Sequence, residues 1–137
     1  MKKTIIILLI VLCISCSKKN KIEYIFITQK DYYWQYNNTC YDLGCAGINI
    51  RFEEDGYSHR YDFSVNDGYT LNEGFHGSDI SNEPEKWYVK KDSTLIWNDF
   101  EYKIEHIDHT VIVLSYFLPS DKKQQCSIRL LKVVGEK

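Results

Sequence analysis

The side chains of this sequence with most scope for chemistry are five cysteines, Cys13, Cys16, Cys40, Cys45 and Cys126, and four histidines, His59, His76, His106 and His109. Nucleophilic catalysis needs a thiol or hydroxyl beside a general base, and no Ser or Cys is tied by spacing to any of the histidines. A structural metal site needs about four ligands at short, regular spacing. Cys40 and Cys45 form C-x4-C with no second Cys or His pair to complete it, and His106 and His109 flank the turn residue Asp108, which points them apart. The nucleophile elbow G-x-S-x-G, the zinc helix H-E-x-x-H and the phosphate-cradling glycine loops are all missing. Glu53, Glu54 and Asp55 sit side by side at a turn, where local hydrogen bonding accounts for them. The residues therefore predict no enzyme, no metal site and no cofactor.

Cys16 has a different chemistry. Lys2 and Lys3 precede an apolar run from Ile5 to Leu12, and the small residues Ser15 and Ser17 bracket the cysteine. This is the order of a positive n-region, an apolar h-region and a cleavage zone. The run is about half of the roughly 20 apolar residues that span a bilayer. The zone C-I-S-C resembles the lipobox of bacterial lipoproteins, in which a small residue precedes a cysteine that receives a diacylglycerol group and becomes the new N-terminus. Cys13 stands where that family usually has Leu. The resemblance implies a signal peptide over residues 1–15, lipid on Cys16 and a short tether over residues 16–23. The membrane is then a partner through lipid alone, each buried CH₂ contributing about 0.8 kcal/mol. Because Ser17, and not Asp, follows the cysteine, and because the tether S-K-K-N-K is basic, the resemblance places the protein at the outer membrane, on its periplasmic face.

The rest of the chain, residues 24–137, is the size of one domain with a single core. Its net charge is acidic: the whole chain carries −2, and Lys2 and Lys3 leave with the signal. Nothing in that balance points to nucleic acid. An exported domain meets an oxidising compartment, and the nearest cysteines, Cys40 and Cys45, are predicted to form a disulfide, Gly44 and Gly47 letting the loop close. Cys126 is then left over.

The elements that must position these groups read with period two. Ile48, Ile50 and Phe52 alternate with polar residues, E-D-G turns the chain, and His59, Tyr61 and Phe63 alternate in turn. The pattern resumes at Trp87 and Val89, then at Leu95 and Trp97, and crosses Asn98–Asp99 into Tyr102, Ile104 and His106. VIVLSYF, continuously apolar, predicts a strand covered on both faces, and a last strand runs from Ser127 to Val134. The segment from Ser64 to Glu85 reads as a long loop that can hide a short helix or strand. The sequence thus predicts an all-β antiparallel up-and-down meander of about seven to eight strands, closed or strongly curled into a barrel to hide its edges.

The stretch from Lys86 to Phe117 resembles the second half of the small lipocalin-like lipoproteins of Gram-negative bacteria, although the Gly-x-Trp strand of true lipocalins is here Tyr32-Tyr33-Trp34. A barrel of that kind, lined by the alternating residues, implies a pocket for a small apolar or aromatic ligand. The predicted ligand-binding residues are His59, Tyr61, Phe63, Trp87, Trp97, Tyr102 and His106. The alternative is a protein-interaction module, in the manner of periplasmic inhibitors and immunity proteins, that presents the segment DYYWQYNNTCY or the loop over residues 64–85 to an envelope protein.

Overall fold

Short alternating runs bounded by turn residues pair here into antiparallel ladders. The computed structural model describes residues 19–41, 47–72, 84–91 and 93–135, so Cys16, Cys45 and His76, with the signal segment, lie outside the described residues. The described chain has one helix, α1 (Lys21–Phe26), and nine strands: β1 (Tyr32–Asn38), β2 (Ile48–Phe52), β3 (Tyr57–Ser64), β4 (Gly68–Leu71), β5 (Glu85–Lys90), β6 (Thr94–Trp97), β7 (Phe100–Ile107), β8 (Val111–Phe117) and β9 (Gln125–Val134). The strands pair in the order β2-β1-β9-β8-β7-β6-β5-β3-β4, and β3 returns to β2. Eight strands therefore close an antiparallel barrel, and β4 is an extra strand hydrogen-bonded to the second half of β3. The predicted all-β barrel is the observed architecture, and it is consistent with a lipocalin-like fold. β4 falls within the predicted 64–85 loop; residues 73–83 of that loop lie outside the described residues.

The turns follow from their residues. Trp97 pairs with Phe100, leaving the two-residue loop Asn98–Asp99, both with positive φ (49° and 63°), as a type I′ hairpin turn requires. Between β2 and β3, Gly56 takes φ 86°, and the Asp55 carboxylate accepts the Tyr57 N–H at 2.9 Å. The carboxylates at this tip include a turn-builder, as their sequence suggests.

One end of the barrel is filled. Phe26, Trp34, Phe52, Leu95, Ile112, Leu114 and Leu130 are fully buried, with Trp87 and Val89 against them. The plug is α1. Asn20 Oδ1 accepts the Glu23 N–H at 2.9 Å while Glu23 Oε2 accepts the Asn20 N–H at 3.1 Å, a reciprocal capping box. Glu23 is buried, and its other oxygen accepts the Val89 N–H at 3.1 Å. The Phe26 ring packs edge-on to Phe52 at 5.2 Å, and its carbonyl accepts the Trp34 indole N–H at 2.7 Å. A helix of six residues is too short to show periodicity, and its first three, Lys21 to Glu23, belong in the sequence reading to the tether.

Two expectations are corrected. β8 is not covered on both faces: Ile112, Leu114 and Tyr116 point inward, whereas Val111 and Val113 are half-buried outside and Phe117 is exposed. Its half-buried outer groups, Val111 and Val113, are β-branched residues that suit a pleated surface without needing a second layer. The disulfide joins Cys40 to Cys126, and not Cys40 to Cys45. The cause is register. β1 and β9 are antiparallel neighbours with Asn38 opposite Ile128, so Cys40, two residues after Asn38, and Cys126, two residues before Ile128, face each other with Cα atoms 5.6 Å apart.

Non-reducing peptide mapping is expected to recover a Cys40–Cys126 linked peptide, and recovery of Cys40 linked to Cys45 would overturn the register argument. The double variant Cys40→Ser/Cys126→Ser, which opens a bridge spanning 86 residues, is expected to lose about 2–4 kcal/mol in urea unfolding.

Candidate functional site

Beyond the Phe52–Trp87 layer the alternating positions of the same strands carry larger polar-tipped rings, and the barrel is hollow. β1 contributes Tyr36 and Asn38 above Trp34, β7 contributes Tyr102, and β8 contributes Tyr116. These rings hold one another in place: Trp97 lies 6.2 Å from Tyr36 and 6.0 Å from Tyr102, and Tyr102 meets Tyr116 edge-on at 5.4 Å. The Asn38 amide donates to the hydroxyls of Tyr36 and Tyr116 at 2.8 Å each, fixing two of the phenols. The space left is a cavity of about 310 Å³ with walls of Tyr36, Ile48, Ile50, Trp97 and Tyr102. Tyr41, Asn98 and Phe100 also line it, and the rings of Tyr41 and Phe100 are half-exposed at its mouth.

Two charges complete the lining. Arg60 Nη2 donates to Glu85 Oε1 at 2.6 Å, with side chains 50% and 18% exposed respectively. The Asn98 amide reaches the same oxygen at 3.4 Å. Burial pushes the Tyr102 phenol up to about 12, with Tyr36, Tyr116 and Glu85 adding to it and Arg60 opposing. Burial also raises Tyr36, against the lowering effect of its hydrogen bond with Asn38. Both phenols are thus neutral hydroxyls at ordinary pH, which suits them to donate a hydrogen bond into the cavity.

Of the seven predicted ligand residues, the cavity gathers Trp97 and Tyr102. Trp87 is interior but lies in the filled layer, its indole N–H donated to the Tyr57 carbonyl at 3.1 Å. His59, Tyr61 and Phe63 face outward. The reason is the hairpin register: Phe52 pairs with Ser58 and Ile50 with Arg60, and directly opposite residues share a face. With Phe52 inside, Ser58 and Arg60 must be inside too, and a shift of one residue exchanges the faces of a whole strand. Ser58 is buried and accepts the Trp97 indole N–H at 2.8 Å. Outside, Tyr61 packs on Tyr33 at 5.0 Å, and Tyr33 stacks on Tyr69 at 4.0 Å where the β3–β4 hairpin folds over the wall. His59 lines a shallow outer depression with Glu53, Glu54 and Asp55.

His106 is turned outward by a β-bulge. The pairing of β7 with β8 shifts between Ile104 and His106, so Ile104 and Ile107 face the interior and His106 does not. Its ring meets the Asp108 carboxylate at 2.8 Å on the surface. That contact, with hydrogen bonds from Thr110 and Val111, holds the Asp108 carboxyl well below its usual range. Among the described residues no group of three or more His, Cys, Asp or Glu is gathered in a way that could hold a metal ion.

Sequence reasoning missed Tyr36, Arg60 and Glu85. Counting the hairpin from Phe52 through E-E-D-G-Y to Ser58 is the signal that would have found Arg60. Glu85 has no such signal, because it is paired to β3 only by a long connection. Comparison of the chain with protein-family models, with curated proteins and with solved structures finds no match.

The raised phenols set an alkaline limit. The unfolded chain releases the Tyr102 proton near the ordinary value of 10.0, before the folded chain does so near 12. Its contribution to stability is therefore intact below pH 10 and is lost as pH rises from there towards about 12. Denaturant midpoints measured from pH 9 to 12 are expected to fall less steeply in Tyr102→Phe than in the parent, and equal slopes would count against the buried phenol.

Proposed function

We propose that this protein is a small-molecule-binding barrel of the cell envelope, tethered to the outer membrane by lipid on Cys16, and that its ligand is a small apolar or aromatic molecule held in the open end. The observation that carries the reading is the cavity. Its roughly 310 Å³ falls at the lower end of the about 300–1,000 Å³ usual for ligand pockets, and it combines apolar and aromatic walls with a few convergent polar groups. A core built only for stability would close this space, since protein interiors pack at the density of organic crystals.

The placement of α1 suits the tether. Lys19 lies over the Trp87 ring at 4.9 Å, at the filled end. An anchor at Cys16, three residues earlier, would hold that end to the membrane and leave the cavity facing away from it. The interaction-module reading has less to draw on. Within DYYWQYNN, Trp34 is fully buried, Tyr36 faces the cavity and Tyr33 is stacked on Tyr69, so few of these rings are free to meet a partner.

Two measurements test the proposal on the full chain in detergent. Titration with an apolar aromatic probe, followed by calorimetry, is expected to show one site whose affinity drops at least about tenfold in Ile48→Trp, which fills the cavity; binding indifferent to that substitution would place the site elsewhere. Metabolic labelling with a palmitate analogue is expected to mark the parent and not Cys16→Ala, and label retained by the variant would remove Cys16 as the anchor.

A further inference from the structure

The polar equipment of the cavity is two opposite charges in contact, and this narrows what can occupy it. Arg60 and Glu85 are the charged side chains lining the cavity among the described residues. A guanidinium presents five N–H donors in a rigid fork, yet among the described residues this one has a single hydrogen bond, from Nη2 to Glu85. Glu85 likewise receives the Arg60 bond and one long contact from Asn98 on the same oxygen, Oε1. Donors remain on the cation and lone pairs on the anion, at the lip of an aromatic slot.

Resting on the reading of this cavity as a ligand site, we infer that its occupant is a small aromatic zwitterion: one ring system bearing a carboxylate and an ammonium a few bonds apart. The ring lies among Tyr36, Trp97 and Tyr102, the carboxylate meets the Arg60 fork, and the ammonium meets Glu85. Volume is the first argument, because about 310 Å³ holds a ring with a short head group and not a long acyl chain. Charge is the second. A ligand with a carboxylate alone engages the free donors of Arg60 and sets a second anion beside Glu85, two carboxylates on one cation, which is costly. A ligand with an ammonium alone sets a second cation beside Arg60 on the one carboxylate of Glu85. A neutral ring leaves the ion pair as it is and draws nothing from it. A zwitterion replaces one ion pair by two and leaves no charge alone. The walls supply the third argument, since aromatic rings held at fixed spacing accept another ring edge-on or offset.

Calorimetric titration of the full chain in detergent with phenylalanine, 3-phenylpropionate, phenethylamine and benzyl alcohol separates the contributions. Phenylalanine is expected to bind about tenfold or more tightly than each of the other three, the range for one charge-assisted hydrogen bond. Arg60→Met is expected to erase its advantage over phenethylamine, and Glu85→Gln its advantage over 3-phenylpropionate, with the near-UV circular dichroism of each variant checking that the aromatic layer stays packed. If any of the other three binds as tightly as phenylalanine, the zwitterion is overturned and the cavity stands as an aromatic site of another charge. If none of the four binds, both this inference and the aromatic-ligand reading beneath it fail.

Discussion

The hydrogen bond from the Trp34 indole to the Phe26 carbonyl, 2.7 Å long and wholly buried, is the contact on which the filled end of the barrel depends. Helices shorter than about 12 residues are marginal by themselves in water, and α1 has six. It exists because the barrel gives its last turn an indole donor and gives the Glu23 carboxylate the Val89 N–H. The barrel in turn is closed at that end because the helix fills it with Phe26. Lys132, opposite Trp34 in the β1–β9 ladder, completes the arrangement by laying its ammonium 4.9 Å over the indole. Burial lowers the pKa of that ammonium, with Asp108 opposing. Strand and helix each satisfy a polar group that the other has brought out of water.

With one end occupied in this way, the remaining interior does not need to be packed. Indoles and phenyl rings fill the layer around Phe52, and the phenols of Tyr36 and Tyr102 line the space above it, Tyr36 with its hydroxyl engaged by Asn38. The difference between the two halves lies in the side chains, since the same strands run through both. β1 shows the change within one strand, from the fully buried Trp34 to Tyr36 at the cavity wall and Asn38 beside the Cys40–Cys126 bridge.

Much of the fold was legible in the sequence because its signals are local. Asn98–Asp99 and the E-D-G turn specify hairpins within a few residues, and the alternation of Ile48, Ile50 and Phe52 specifies a face. What was not legible depends on registers that no short stretch contains. His59, Tyr61 and Phe63 are as apolar as an inward face should be, but the pairing of Phe52 with Ser58 turns them out, where Tyr33 and the β4 hairpin partly cover them. One inserted residue before His106 does the same to that side chain. The cysteines nearest in sequence are not the ones the strands bring together, and the neighbourhood of β1 and β9 becomes visible only when the barrel closes. The candidate site is the least legible part, since an inward face of His59, Tyr61 and Phe63 sets Arg60 on the outside and Glu85 falls at the end of the 64–85 segment.

The closure of the barrel is uneven around its circumference. β1 and β9 share a ladder of seven residue pairs, whereas β3 and β5 share two, Tyr57 with Lys86 and Ser58 with Glu85. β4 takes over the edge of β3 that β5 leaves, so no long row of backbone groups stays open there. Much of the remaining join is made by side chains: Ser58 Oγ to the Glu85 carbonyl, the Trp87 indole to the Tyr57 carbonyl, and the Arg60–Glu85 ion pair across the top. Parting the wall along this line breaks fewer main-chain bonds than parting it along the β1–β9 ladder. The charges that face the cavity therefore also act as a clasp on its most compliant seam, and anything that draws Arg60 away from Glu85 changes the stiffness of the cylinder as well as the contents of its mouth.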